Sequence, residues 1–238
     1  MGEGDARRTI GATPPKIPRR LGSLGMTGQP CIIDSPMPSV PTLTPDAKAR
    51  LAEAAARAFL DDPLTAWLIP DPAQRLKRQA RYFRGVITFS DRYARLYTRP
   101  QFDAAAMWYQ PSPRRFTTWQ VLRSGMLWAP LSLGFTGMRR MTQLDSLSSD
   151  LWKRFVPGPH WYLMFLFTDP SVQGQGIGTS LLKHGFEQAD AARLPCHLET
   201  MTERDVQFYT KRGFRIVWDG RLPADGPRMW TMLRDAQG

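Results

Sequence analysis

Residues 160–191 constrain the fold more than any other stretch, because they read as strand, glycine loop and helix. Trp161–Phe167 is apolar at every position. A strand with one buried face alternates apolar and polar residues, so this run predicts a strand buried on both faces. Asp169-Pro170 ends it, since proline has no N–H for a sheet ladder. Gln173-Gly-Gln-Gly-Ile-Gly178 then turns the chain. From Thr179 the period is helical, with Leu181, Leu182, Gly185, Phe186 and Ala189 on one face. Glycines let backbone N–H groups approach a ligand closely, and a helix N-terminus adds unpaired N–H groups and a favourable dipole. The implied chemistry is anion binding, with a phosphate or pyrophosphate as guest. No Gly-Lys-Ser/Thr follows, which excludes a nucleotide triphosphate P-loop. The order Gly174, Gly176, Gly178 also differs from the dinucleotide fingerprint G-x-G-x-x-G. A plain strand-to-helix turn is the competing reading.

The rest of the chain supplies the layers around that unit. Residues 1–41 are rich in Pro, Gly, Ser and Arg without apolar periodicity, and read as a disordered or loosely attached extension. Residues 42–238 read as one domain. Thr44-Pro45 is a helix start, followed by Leu51, Ala54, Ala55, Ala58 and Phe59 at helical spacing and a stop at Asp61-Asp62-Pro63. Asp71-Pro72 repeats the signal before a longer helix carrying Leu76, Ala80, Tyr82, Phe83, Val86, Ile87 and Phe89. Arg95–Arg99 and Ala104–Gln110 read as a strand pair. Residues 114–157, with Trp119, Leu122, Met126, Leu127, Trp128, Leu131, Leu133, Phe135, Met138 and Met141, predict two or three helices interrupted at Pro130 and Gly134. Such a segment is either helix-packing core or an adaptable apolar pocket for an acceptor substrate. Cys196–Met201 is a strand, with Cys196, Leu198 and Thr200 facing one way and His197, Glu199 and Met201 the other. Thr202-Glu-Arg-Asp205 reads as a capping box, and Gly213 ends that short helix. Phe214–Trp218 and Arg228–Leu233 are the last strands. The whole is α/β, a central mixed sheet flanked by helices.

The pattern Gln-x-x-Gly-x-Gly after a strand and Asp-Pro resembles the acetyl-CoA pyrophosphate loop of the GNAT superfamily of N-acetyltransferases. Three further stretches strengthen the likeness: His197-Leu-Glu-Thr200, then Phe208-Tyr209 with Arg212-Gly-Phe214, then Gly226-Pro-Arg-Met-Trp-Thr-Met232. Together with Ala54-Ala-Ala-Arg-Ala-Phe59 and Asp62-Pro63, they are similar to the GNAT branch that contains puromycin N-acetyltransferase. The resemblance runs over residues 43–234 in order and is thinnest at 112–157.

The resemblance implies a GNAT-type sheet, acetyl-CoA as co-substrate and a small-molecule amine as acceptor. It implies that Leu166, Phe167 and Thr168 pair with the pantetheine arm as an added strand would. Gln173, Gly174, Gln175, Gly176, Ile177, Gly178 and Thr179 correspond to the pyrophosphate donors. Tyr209 corresponds to the tyrosine that protonates the departing thiolate, and a phenol with an ordinary pKa near ~10 keeps its proton at neutral pH. The competing reading of Tyr209 is a core tyrosine beside Phe208. Asp205 stands where relatives often carry an asparagine that hydrogen-bonds the cofactor; an ionised aspartate accepts but cannot donate, and the capping box accounts for it equally. Glu199 is the candidate general base, as a carboxylate half-buried in a cleft has its pKa raised; the alternative is a structural carboxylate. His197 shares its face and is the weaker candidate. His160 and His184 read as structural or exposed.

Cys196 and His197 are adjacent on a strand and point oppositely, so they cannot form a thiolate–imidazolium couple. Direct transfer in a ternary complex follows, with a backbone N–H near Thr168 polarising the carbonyl. Three histidines and two cysteines are too scattered for a metal site. The net charge of +11 suits an anionic co-substrate. The basic residues are scattered, and neither a basic helix stripe nor an aromatic-basic motif supports nucleic-acid binding. No run of eighteen apolar residues spans a membrane, the N-terminus lacks a secretory h-region, and Cys31 and Cys196 are not placed to pair. The expected setting is a reducing cytoplasm. A non-catalytic protein of the same fold that binds CoA or a partner protein is the alternative, and the oligomeric state is open.

Overall fold

The computed structural model describes residues 43–111, 130–223 and 225–237. Three helices open it, each set by a cap and a proline. Thr44 accepts from the Ala47 amide before α1 (Pro45–Ala58). Asp62 accepts from Leu64 and Thr65 before α2 (Pro63–Leu68), and Asp71 from Ala73 before α3 (Pro72–Tyr93). Proline suits the first helical position, where an N–H has no intrahelical partner. The strands are β1 (Arg95–Thr98), β2 (Ala104–Tyr109), β3 (Trp161–Thr168), β4 (Cys196–Thr200), β5 (Arg215–Arg221) and β6 (Arg228–Arg234). Three further helices are α4 (Gly134–Phe155), α5 (Ile177–Ala191) and α6 (Glu203–Thr210).

The sheet order is β1-β2-β3-β4-β6-β5. Only β3 and β4 run parallel, and α5 is their crossover. Strand β2 is buried at every position because helices cover both its faces. Ala105 and Met107 pack with Leu51, Phe83, Val86 and Ile87 of α1 and α3. Ala104, Ala106 and Trp108 pack with Leu181, Leu182 and Ala189 of α5 and with Tyr209 of α6. Gly185 allows that second packing: a Cβ there would lie 2.2 Å from the Trp108 ring. A third cluster joins Trp67 and Leu68 of α2 and Leu151 of α4 to Leu222 and Met229 near the turn between β5 and β6. The mixed sheet flanked by helices matches the architecture expected from the sequence.

Several local expectations change. Helix α5 begins at Ile177, two residues before Thr179, because Gly176 already supplies the turn. Leu76 is 47% exposed, and Gln79 takes a buried position on α3 instead. Strand β3 is not uniformly buried: Trp161, Leu163 and Phe167 are, while the residues between them are half-buried beside a cavity. Gly134 opens α4 with φ +72° rather than interrupting a helix, so residues 130–157 hold one 3-10 turn and one long helix. Residues 1–41, and Trp119, Leu122, Met126, Leu127 and Trp128 within the segment 114–157, lie outside the described residues.

Candidate active site

The site begins where two neighbouring strands part. β3 pairs with β4 at only three positions, Trp161↔Cys196, Tyr162↔His197 and Leu163↔Leu198. On its other edge β3 stays paired with β2 as far as Ala104↔Thr168, with a register shift between Met107 and Trp108 that leaves Met164 without a partner in the β2 register. Residues 165–168 therefore keep one paired edge and turn the other toward a wedge between β3 and β4. A strand edge of this kind can pair with an extended ligand. The wedge opens into a cavity of about 1600 Å³. Leu166, Phe167 and Thr168 line it.

The glycine loop closes one end. Asp169 caps the 3-10 turn Pro170–Val172 through the Ser171 amide. Gly174 and Gly176 follow with φ +80° and +77°, a conformation that glycine adopts without a Cβ clash. A Cβ at either would meet nothing within 4 Å, so it is the backbone conformation that calls for glycine. Gly178 is different: it is helical, and a Cβ there would touch Phe208 at 3.6 Å and Leu166 at 3.7 Å. Helices α1, α2, α3 and α6 each have a side-chain N-cap, whereas α4 and α5 have none. The first intrahelical bond of α5 runs from the Ser180 amide to Gly176 O, which leaves the amides of Ile177, Gly178 and Thr179 without an intrahelical acceptor. Gly174, Gly176, Ile177, Gly178 and Thr179 all line the cavity. Gln173 also lines it, and its Nε2 donates to Thr168 O at 3.0 Å, tying the loop to the end of β3. Gln175 is exposed and does not line the cavity.

Asp169 anchors this loop to α1. It is 6% exposed and accepts from Arg57 Nε at 2.7 Å and from the Ser171 amide and hydroxyl. Burial alone would raise its pKa, but the Ser171 and Arg57 hydrogen bonds outweigh burial and hold it below the ordinary carboxylate value. Two further arginines sit at the same end. Arg204 donates to Gln173 Oε1, and Arg212 donates to Thr179 Oγ1 while lying 3.5 Å from the Phe208 ring centre.

Tyr209 projects from α6 into the cavity and is 9% exposed. Burial, reinforced by the negative charge of Asp205, pushes its phenol well above the ordinary value, so it is neutral and proton-bearing across the physiological range. Its ring also packs edge-on against Phe208 and Phe214, so the core reading and the site reading hold together. Asp205 lines the cavity as well; its amide donates to Thr202 Oγ1 and its Oδ2 accepts from Thr200 Oγ1 at 3.3 Å.

Glu199 lies where the strands separate. Its Oε1 accepts from Trp152 Nε1 and its Oε2 from the Tyr162 hydroxyl, both at 3.0 Å. The alternation expected for β4 holds: Cys196 and Leu198 enter the α5 cluster, while Glu199 and His197 face α4. His197 is fully buried against Trp152, Tyr162 and His160 and does not line the cavity. His160 lines the cavity, with Nδ1 2.9 Å from Gly158 O; His184 is exposed and stacked on Tyr97. The Cys196 thiol is pushed up to about 12 by burial, which leaves it un-ionised at neutral pH. Among the described residues no group of three or more His, Cys, Asp or Glu is placed to hold a metal ion.

The sequence did not single out Tyr162, Trp152, Gln79 or the Arg57–Asp169 pair, and read Asp62 as a helix stop and as part of the family likeness, not as a site residue. Tyr162 was hidden in an apolar run, and its register with His197 would have placed it beside Glu199.

Residues 134–216 match the family model described as acetyltransferase (GNAT) domain. Among solved structures, the fold is similar to a Corynebacterium glutamicum protein named histone acetyltransferase HPA2 and related acetyltransferase. That likeness has TM-score 0.53 and 20% identity over 83% of this chain and 95% of that one. It is similar to arylalkylamine N-acetyltransferase 2 of Aedes aegypti, with TM-score 0.52 and 12% identity over 82% and 97%. It is also similar to the Drosophila melanogaster polyamine N-acetyltransferase, with TM-score 0.51 and 12% identity over 82% and 97%. Over residues 134–216 the chain matches the GNAT acetyltransferase domain model, and its fold is similar to that of these solved acetyltransferases.

Proposed function

We propose that this protein is an acetyl-CoA-dependent N-acetyltransferase that moves an acetyl group to a primary amine of a small molecule by direct transfer in a ternary complex. One observation carries the reading. The unpaired edge of β3, the uncapped N-terminus of α5 and the proton-bearing Tyr209 all open into one cavity. The edge at Leu166, Phe167 and Thr168 suits an extended chain with amide groups. The loop amides from Gln173 to Thr179 suit a pyrophosphate. Arg204 and Arg212 add positive charge beside that loop. The signatures around Leu198–Phe214 and Gly226–Met232 favour the puromycin N-acetyltransferase branch. Two of the structurally similar proteins are, by name, N-acetyltransferases of arylalkylamines and of a polyamine.

Acetyl-CoA supplies the thioester-activated acetyl group. The chain's residues then divide the work. Glu199, which lines the cavity, accepts the proton that an ammonium acceptor must lose before its nitrogen can attack. A backbone N–H near Thr168 polarises the carbonyl. Tyr209 holds a proton at its phenolic oxygen for the departing thiolate. Thr202 caps the start of α6 through the Asp205 amide, and the charge of Asp205 adds to the burial that keeps Tyr209 neutral.

The test is release of free CoA thiol from acetyl-CoA with a panel of amines: an aminonucleoside, an arylamine, a polyamine and short peptides. Release with one class and not the others establishes the reaction and the acceptor together. Tight CoA binding with no release from any class supports instead the non-catalytic reading.

A further inference from the structure

The cavity is electrically polarised. Its arginines, Arg57, Arg204 and Arg212, are each bonded to the loop region, at Asp169, Gln173 and Thr179. Away from the loop the ionised side chains lining it are carboxylates, and Asp62 is the most telling of them. It is half-buried, its Oδ1 accepts from the Leu64 and Thr65 amides, and no basic side chain among the described residues pairs with it. Thr65 leads directly to Gln79, whose Nε2 donates to Thr65 Oγ1 and to Phe59 O. Gln79 is only 4% exposed and lines the same cavity, yet among the described residues its Oε1 has no hydrogen-bond partner. A buried amide oxygen is costly to leave without a donor, and in a cavity wall it is placed to receive one from a ligand. Beside these acceptors stands an aromatic wall, with Phe59 stacked on Phe83 at 5.4 Å and Phe83 edge-on to Phe165 at 5.1 Å.

We infer that Asp62, Gln79 and the Phe59–Phe83–Phe165 wall form the acceptor subsite, and that the acceptor is a cationic amine with a flat apolar body. The N–H donors of the cation meet the Asp62 carboxylate and Gln79 Oε1, and the carbon body lies on the rings. Charged donors and aromatic faces act together here, since a cation is attracted to both. Burial, the largest influence on Asp62, raises its pKa, and the charge of Asp205 pushes the same way; a bound cation relieves both. The assignment rests on the acetyltransferase reading, because it takes the loop end of the cavity as the seat of CoA.

The experiment is calorimetry on the full chain saturated with CoA. Three probes of one shape and different charge are titrated: phenethylammonium, phenylethanol and phenylpropionate. The ammonium should bind about tenfold or more tightly than the alcohol, and the carboxylate weakest, from a charge-assisted hydrogen bond to a half-buried carboxylate. Asp62→Asn and Asp62→Ser both keep an N-cap oxygen for α2, and in both the preference for the ammonium should collapse while CoA affinity stays unchanged. The inference is overturned if the alcohol or the carboxylate binds as well as the ammonium, or if the Asp62 variants keep the preference. Failure of CoA itself to bind overturns the underlying acetyltransferase reading, and is seen in the first titration.

Discussion

Alanine substitutions at the three loop glycines should separate in sign. At Gly176, and equally at Gly174, an alanine has open space for its Cβ but must hold a left-handed backbone. That conformation costs an L-residue about 1–2 kcal/mol. In a chain of this size each kcal/mol moves the melting temperature by roughly 2–4 °C, so Gly176→Ala should lower it by a few degrees. At Gly178 the backbone is already helical, and a Cβ makes only ordinary contacts with Phe208 and Leu166. Alanine is preferred to glycine in a helix by up to about 1 kcal/mol, so Gly178→Ala should keep or raise the melting temperature. All three variants should bind CoA more weakly. Losing one amide bond to a charged phosphate costs about 1.5–3 kcal/mol, or roughly ten- to a hundredfold in Kd; Gly178→Ala loses affinity because its methyl enters the cavity. Thermal unfolding without ligand and calorimetric titration with CoA read the two effects separately. Gly178→Ala destabilising the fold as much as Gly176→Ala, or any of the three binding CoA like the parent chain, would refute the reasoning.

Four further outcomes are expected. Tyr209→Phe should lower kcat about a hundredfold or more, in keeping with the loss of a positioned acid, while the Kd for CoA changes little. Because burial holds that phenol protonated, the parent enzyme should show no loss of rate from this group as pH rises from 7 to 9 in a pH–rate profile. The depressed pKa of Asp169 stabilises the fold at pH above the unfolded value of about 3.9 and is lost as pH falls through the lower folded value; acid unfolding of Asp169→Asn should lack that component, and the variant should be less stable than the parent at pH 7. Gly185→Ala should destabilise by about 1–3 kcal/mol or more through overpacking against the Trp108 ring, read as a lowered midpoint in denaturant.

What the sequence made legible was local. Thr44-Pro45 and Asp71-Pro72 announce helix starts because cap and proline act within one turn, whereas Asp62-Pro63, read as a stop, also caps and opens α2. The apolar run, the glycines and the helical period after them sit in the order the structure uses. Strand alternation placed Glu199 and His197 on one face of β4 before any partner was known. The cavity was not legible, because it arises where β3 and β4 diverge after three paired positions, and nothing in either strand alone marks that point. The partners of Glu199 come from Trp152 and Tyr162, 47 and 37 positions away. His197 shares the face of Glu199 yet lies under the rings of Trp152 and Tyr162, a difference in depth that two-fold alternation does not encode. Gln79 was passed over because a polar residue at one position of an amphipathic helix reads as surface, whereas α3 turns it inward and leaves Leu76 outside.

The most direct test of the account is a calorimetric titration of CoA into the folded chain, followed by the same titration in high salt. The account predicts one CoA bound per chain, with affinity that falls as salt rises because part of it comes from phosphate charge beside Arg204 and Arg212. A folded sample that takes up no CoA in either condition would contradict it.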